Sequence, residues 1–145
     1  MFRHYDPQDR YVGGVLKVYD HWVLEVSWRQ HTLASFVIFF RRPGVRLLSE
    51  LMDGEYLRLK EVMRDMERAL RSHPHIAPDH IDYLQVGNAQ SHLCMYGIPR
   101  YELPRSLLGR MWGDLSYGSP PVWTSKDQNP SDIEALRDLL LPLLA

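Results

Sequence analysis

One polar segment in the second half of the sequence carries side chains able to donate, accept or attack. It is Ser91-His92-Leu93-Cys94-Met95-Tyr96. If this segment forms a strand, alternate side chains share a face of the sheet. His92, Cys94 and Tyr96 then point one way, whereas Leu93 and Met95 point into the core. The pattern predicts a chemically active face backed by an apolar one.

A Gly-Asn pair precedes this segment and predicts a turn. Gly87-Asn88 would bring backbone amides and a side-chain amide close to the start of the polar face. Such groups suit a small anion or another polar ligand. The same pair is also ordinary turn chemistry, because Asn tolerates left-handed backbone. Both interpretations stay open at this stage.

Cys94 is the single cysteine of the chain, and two interpretations of it differ in chemistry. A buried free cysteine packs as a small, semi-apolar side chain. It acts as a nucleophile only where its surroundings stabilise the thiolate. We expect the packing role for Cys94 and a similar space-filling role for Tyr96. For His92, a ligand contact and a local hydrogen bond at the end of a sheet are both open.

The elements that would position this segment follow from residue periodicity. Residues 12–18, 22–28 and 36–40 are rich in β-branched and aromatic side chains, which predicts three strands. The segments between them are too short for a parallel crossover, so we expect antiparallel strands. Residues 53–72 repeat apolar side chains three or four apart, which predicts a long amphipathic helix.

The remaining elements complete the pattern. Residues 82–86 and 92–101 predict two further strands, and the Gly- and Pro-rich stretch after Pro104 is expected to be irregular. Ser131 followed by Glu134 has the spacing of a capping box and predicts the start of a C-terminal helix. We therefore predict an α+β fold: a twisted antiparallel sheet of about five strands, one long helix and a C-terminal helix.

Composition narrows the class of protein. The chain has 145 residues, with 17 Lys plus Arg against 18 Asp plus Glu and a net charge of −1. A single domain over residues 1–145 is expected for this length. The lack of a basic surplus argues against non-specific nucleic-acid binding. One cysteine, short apolar runs and a polar N-terminus predict no internal disulfide, no membrane span and a cytoplasmic location.

Two other groups of side chains invite functional interpretations. His73, His75 and His80 could suggest zinc, but their proline-containing loop favours surface positions, and we predict no metal site. Arg41 and Arg42 would occupy a solvated turn or lie near the mouth of a phosphate site. The aromatic residues of the tail are expected to line a pocket or a subunit interface.

With these motifs in view, the sequence resembles the histidine triad (HIT) superfamily, and most closely its small bacterial HIT-like proteins. That branch carries a Gly-Asn turn, a triad strand followed by Ile-x-Arg-aromatic, and a later Pro-Val-Trp. Gly87-Asn88, residues 98–101 and residues 121–123 match these motifs. Residues 22–51 resemble the family's central strand and the start of its long helix. The resemblance covers roughly residues 11–124.

The resemblance implies a HIT-like fold with a nucleotide pocket, but the triad is degenerate. The family's attacking histidine falls on Cys94 and the last histidine of the triad on Tyr96, whereas His92 remains. In the family, the attacking histidine is the middle one of the triad. It attacks the α-phosphorus of a nucleotide and forms a nucleotidyl-imidazole intermediate. The ribose-binding residue falls on Ser27, and an upstream buried histidine falls on Ser35.

The resemblance therefore implies a nucleotide or small-anion pocket without the usual nucleophile. No catalytic residue, cofactor or metal is predicted, and His31 lies out of register for the role of the upstream histidine. A homodimer that pairs its long helices and extends the sheet is also implied. The alternatives are a nucleotidyl hydrolase or transferase acting on nucleoside phosphates, and a pocket recruited to other chemistry. The residues expected to contact a ligand are Asn88, His92, Cys94, Tyr96, Ser27, Gln90 and Arg100.

Overall fold

An antiparallel sheet of five strands organises the part of the chain that the computed structural model describes, residues 13–85 and 93–145. In chain order the strands are β1 (Val15–Val18), β2 (Trp22–Val26), β3 (Phe36–Phe40), β4 (His80–Leu84) and β5 (Cys94–Arg100). In space they follow the order β1-β2-β3-β5-β4, and every pairing is antiparallel. The predicted α+β fold with its antiparallel sheet is confirmed, and β4 lies at an edge.

The two faces of this sheet bury different sets of side chains. On the first face lies the main core, in which Trp22, Phe36 and Ile38 are fully buried. Because both faces of β2 and β3 are covered, these strands have almost continuously apolar sequences. The opposite, second face carries a smaller cluster made of Val23, Val37, Phe39, Cys94 and Tyr96.

Two α-helices in the described residues pack on the first face. The indole N–H of Trp22 donates to the carbonyl of Glu55 at 2.9 Å, which fixes the start of the long helix against β2. The predicted long helix and C-terminal helix are both confirmed. The helices are α1 (Asp53–Ser72) and α2 (Pro130–Leu140), and short 3₁₀ turns lie at Leu48–Glu50 and Leu141–Leu144.

The start of α2 differs from the prediction. Asn129 is the N-cap residue, and its side-chain oxygen accepts a hydrogen bond from the backbone N–H of Ser131 at 3.1 Å. Pro130 occupies the first turn, where a missing N–H leaves no intrahelical bond unmade. The capping box predicted from Ser131 and Glu134 is therefore wrong, because an Asn-Pro pair combines a cap with a pre-organised first turn.

Strand bounds differ from the predictions by a few residues. β2 ends at Val26 rather than at residue 28, and β4 begins at His80 rather than at residue 82. β5 ends at Arg100, one residue before the predicted end. These shifts leave the alternation of side chains between the two faces unchanged.

The stretch after Pro104 is not wholly irregular. β6 (Arg105–Leu107) and β7 (Arg110–Trp112) form a hairpin. Leu108 and Gly109 at its turn both have positive φ, 53° and 74°. A two-residue turn of this kind matches the twist of antiparallel strands. The sequence did not predict the hairpin, because Leu rarely adopts the left-handed region.

A buried arginine joins the sheet to the tail that follows it. Arg100 is 3% exposed, and its Nε and Nη2 donate to the Asp114 carboxylate at 2.7 and 3.2 Å. Nη1 donates to Asp82 at 2.7 Å and to the carbonyl of Ser119 at 2.8 Å. Nη2 also donates to the carbonyl of Ser116 at 2.8 Å. One side chain thus holds β5, β4 and the tail together.

Replacing Arg100 should strongly destabilise the protein. Arg100→Ala would leave Asp114 buried without its partner, and breaking a buried ion pair costs about 3–5 kcal/mol of unfolding free energy. Urea denaturation followed by circular dichroism measures this loss. The matched control is Arg58→Ala, which removes an exposed pair with Glu61 and should leave the urea midpoint nearly unchanged. Equal effects of the two variants would contradict the structural role of Arg100.

Candidate functional site

Cys94 and Tyr96 lie side by side on the second face of the sheet. Cys94 is opposite Phe39 on β3, and Tyr96 is opposite Val37. Their neighbour Met95 points to the first face and belongs to the main core. The alternation predicted from the sequence is thus observed for the described part of this segment.

The thiol of Cys94 is fully buried. Burial raises its pKa above the ordinary value, and a hydrogen bond with the Tyr96 side chain only partly opposes this effect. A thiol in such surroundings is protonated at neutral pH. Because the thiolate is the nucleophilic form of cysteine, the surroundings of Cys94 suppress its reactivity.

Tyr96 is also protonated and packed. Burial, followed by the neighbouring Cys94, raises the pKa of its phenol. Its ring meets the indole of Trp123 edge-on, with ring centroids 5.0 Å apart and planes at 81°. Edge-to-face contacts of this kind are favourable between aromatic rings. Tyr96 therefore connects the sheet to the tail.

His31 joins the same aromatic group from the connection between β2 and β3. Its ring stacks on Trp123 with centroids 3.9 Å apart. Its Nδ1 accepts the backbone N–H of Thr124 at 3.0 Å, so the proton of the neutral ring is on Nε2. Nε2 is buried and has no hydrogen-bond partner among the described residues. Burial, with a contribution from Arg29, lowers the pKa of His31 to about 4.

Further contacts hold the tail along this connection. The backbone N–H of Gln128 donates to the carbonyl of Trp28 at 2.7 Å. Arg29 Nε lies 3.2 Å from a carboxylate oxygen of Asp127. The tail is therefore fixed beside His31 at several points. The sequence signal for this arrangement was the surplus of aromatic residues in the tail, but it did not identify His31 as their partner.

Ser27 and Ser35 lie where β2 and β3 separate, and their hydroxyls bond locally. The Ser27 hydroxyl accepts the backbone N–H of Arg29 at 3.2 Å, and that of Ser35 donates to the carbonyl of Thr32 at 2.9 Å. Gln30 Nε2 donates to both serine carbonyls at 2.8 Å. The Oε1 of Gln30 is buried, and no group in the described part of the chain forms a hydrogen bond with it. Gln30 and His31 thus each have one buried polar atom that forms no hydrogen bond with a described residue.

The other residues predicted to contact a ligand are only partly covered by the described structure. Asn88, Gln90 and His92 fall outside the described residues. Arg100 lies on the second face, but its N–H groups bond to Asp82, Asp114 and the tail. The structure thus groups Cys94 with Tyr96 and commits the Arg100 side chain to local contacts.

Glu25 is a buried acid on the second face that the sequence analysis did not single out. It lies two residues after Val23 on β2, so both side chains share that face. Burial raises the pKa of its carboxyl to about 8. The signal for it was available in the sequence, since it is the one charged residue within the apolar run Trp22–Val26.

The arginine turn and the histidine loop contribute little to this site. Arg42 donates to both carboxylate oxygens of Glu55 at 2.9 and 3.0 Å, which ties it to the start of α1. Arg41 donates to the carbonyl of Tyr19 at 2.8 Å. In the described part of the chain, no three metal-ligating side chains group together. None of the described helices is long and apolar enough to cross a membrane.

Comparison with known proteins identifies the fold. No protein-family model and no curated protein matches the sequence. Among solved structures, a histidine triad protein from Sinorhizobium meliloti 1021 superposes with a TM-score of 0.68 at 13% identity, covering 88% of this chain and 87% of its own. A histidine triad protein from Marinobacter aquaeolei VT8 gives 0.64 at 18% identity, covering 97% and 96%.

A third similar structure is a hypothetical histidine triad nucleotide-binding protein from Sulfolobus tokodaii. Its TM-score is 0.66 at 13% identity, with 90% of this chain and 82% of that chain covered. At such low identities the likeness concerns the fold. The chain has the fold of the histidine triad proteins, as the resemblance of its motifs implies.

The packing of His31 makes stability dependent on pH. Its folded pKa of about 4 lies below the ordinary value of about 6.5, so the unfolded chain binds the proton more readily. This contribution is complete above about pH 6.5 and is lost as the pH falls towards 4. We expect urea unfolding between pH 7 and pH 4.5 to show a smaller loss of stability for His31→Gln than for the natural protein.

The control for this comparison is His75→Gln, in the exposed loop after α1. The glutamine amide is polar but does not titrate, so the variant removes the titration at position 31. The same pH dependence in His31→Gln and the natural protein would show that His31 is not the titrating group.

Proposed function

We propose that the second face of the sheet binds a nucleotide or another small anionic ligand and does not catalyse the reaction of the histidine triad enzymes. The observation that carries this proposal is the buried, protonated thiol of Cys94 at the position that matches the family's attacking histidine. A neutral imidazole attacks phosphorus and then leaves it again. A protonated thiol does not attack.

Of the described residues in this aromatic group, Tyr96 and His31 do not supply a substitute base. The phenol of Tyr96 keeps its proton because burial raises its pKa. The imidazole of His31 is neutral, but its Nδ1 lone pair is occupied by the Thr124 N–H. An attacking group needs a base within hydrogen-bond reach, and none of these side chains has a free lone pair of suitable basicity.

Binding is supported by the fold and by its similar structures. The Sulfolobus tokodaii protein is described as nucleotide-binding, and its fold is shared by this chain. We assign ligand contacts to Asn88, Gln90 and His92, and a single hydrogen bond to a ribose hydroxyl to Ser27. We assign Arg100 a positioning role through the tail, since its guanidinium is already surrounded by acceptors.

The proposal also covers the domain organisation, the location and the oligomeric state of the protein. Residues 1–145 would form one domain located in the cytoplasm, as the sequence predicts. A homodimer is supported by an apolar cleft of about 590 Å³ along α1, lined by Tyr56, Leu57 and Met63 among others. Leu57 is 69% exposed in the single chain. Among the described strands β4 pairs with β5 alone, so its other side could extend the sheet into a second copy.

Light scattering after size-exclusion chromatography tests the dimer. At micromolar concentration we expect about twice the chain mass of 17.0 kDa, because α1 would bury its apolar cleft against a second copy. Leu57→Lys should shift the mass to that of one chain. The control is Leu115→Lys, which changes a fully exposed leucine of the tail and should leave the dimer intact. A single-chain mass for the natural protein would refute the dimer.

Thermal-shift measurements with nucleoside monophosphates and nucleoside phosphoramidates, followed by turnover assays on each phosphoramidate that binds, test the function, because a phosphoramidate carries the leaving group that attack at the α-phosphorus requires. A ligand that binds only the native state raises the melting temperature. We expect a shift with a nucleotide, no turnover, and a nucleotide affinity within about threefold of the natural value for Cys94→Ser, because no step depends on a thiolate. Turnover that falls about a hundredfold in Cys94→Ser would instead establish an enzyme with a thiol nucleophile.

A further inference from the structure

Glu25 lies in a row of side chains that crosses the second face. Val15 on β1 pairs with Glu25 on β2, and Glu25 pairs with Val37 on β3. Val37 pairs with Tyr96 on β5, which pairs with Leu84 on β4. Directly paired side chains on one face of an antiparallel sheet have Cβ atoms about 5 Å apart. The Glu25 carboxyl is therefore separated from Tyr96 by a single valine.

The Glu25 side chain is buried, and its carboxyl has no partner among residues 13–85 and 93–145. Glu25 is 4% exposed, and no described side chain or backbone group forms a hydrogen bond or ion pair with its carboxyl. The other buried acids contrast with it, because Glu55 pairs with Arg42 and Asp114 pairs with Arg100. Burying an unpaired carboxyl is costly. A carboxyl to which no described residue is bonded has both oxygens available to a ligand.

The protonation state of Glu25 determines which ligand it suits. With a pKa of about 8, the carboxyl is largely neutral at pH 7. A neutral carboxylic acid offers one O–H donor beside one carbonyl acceptor. A complementary ligand has a flat edge on which a hydrogen-bond acceptor lies beside a donor. The valines around Glu25 can contact the faces of such a flat ring.

We propose that Glu25 is a specificity residue that binds the amino-substituted edge of a nucleobase, with a ring nitrogen accepting its O–H and the amino group donating to its carbonyl oxygen. This proposal rests on the proposed function, since it identifies the class of nucleotide that the second face takes. Adenine and cytosine have such an edge. A basic ring nitrogen is a stronger acceptor for an acid O–H than an amide carbonyl, so amino-substituted bases are favoured over their oxo counterparts.

The test compares matched ligands on matched variants. Calorimetric titrations at pH 7 would use AMP and purine riboside 5′-monophosphate, which differ only in the amino group, with IMP as the oxo analogue. We expect AMP to bind the natural protein at least about tenfold more tightly than either, because a site built for a hydrogen bond rejects a ligand that lacks it. Glu25→Gln keeps a donor beside an acceptor and should retain this preference.

Glu25→Met removes both hydrogen bonds and should reduce the preference to less than about twofold. Its melting temperature without ligand should not fall, because the variant replaces an unpaired buried acid with an apolar side chain; this separates a lost contact from a lost fold. Equal binding of the three nucleotides to the natural protein, or a preference that survives in Glu25→Met, would overturn the role of Glu25 and leave the proposed pocket standing. Failure of every nucleotide to bind would overturn both.

Discussion

The bonds of Arg100 to Asp82 and Asp114 are the interaction on which the second face depends. A guanidinium with almost no contact with water is tolerable only when each N–H meets an acceptor, and here two carboxylates and two tail carbonyls provide them. The pKa of Asp114 reflects the same balance: burial opposes its ionisation, but hydrogen bonds from Arg100 and from the backbone N–H of Tyr101 keep it below the usual range.

The consequence is a tail held in a defined place over the sheet. Because residues 114–119 are bound to Arg100, the chain beyond them can bring Trp123 against Tyr96 and His31. Ordering a loop costs conformational entropy at each residue, and the Arg100 bonds reduce that cost on one side of Trp123 as the contacts of Asp127 and Gln128 do on the other. The Arg100 bonds therefore influence the candidate site indirectly, because they limit where Trp123 can lie.

Burial favours the neutral form of each titratable group discussed at the candidate site. The thiol of Cys94 and the phenol of Tyr96 both have raised pKa values, and the imidazole of His31 has a lowered one. Burial is the largest cause in each case, and in each case it favours the neutral form. The carboxyl of Glu25 follows the same rule. Such a surface offers hydrogen-bonding groups and apolar contacts in their neutral forms.

Much of the fold follows from local pattern. The alternation around Cys94, the apolar runs of β2 and β3, and the stripe of α1 determined the antiparallel sheet and its long helix, because side-chain periodicity alone decides which faces are buried. The Gly-Asn and Ile-Pro-Arg-Tyr motifs indicated the family likeness that the fold bears out. Three features were decided only by tertiary structure. Arg100 bonds to internal acceptors because the tail returns over it. His31 meets Trp123 across 92 positions of the chain. Glu25 is buried between its neighbours on β1 and β3. Burial and partners depend on what the rest of the chain brings near, and no local pattern contains that information.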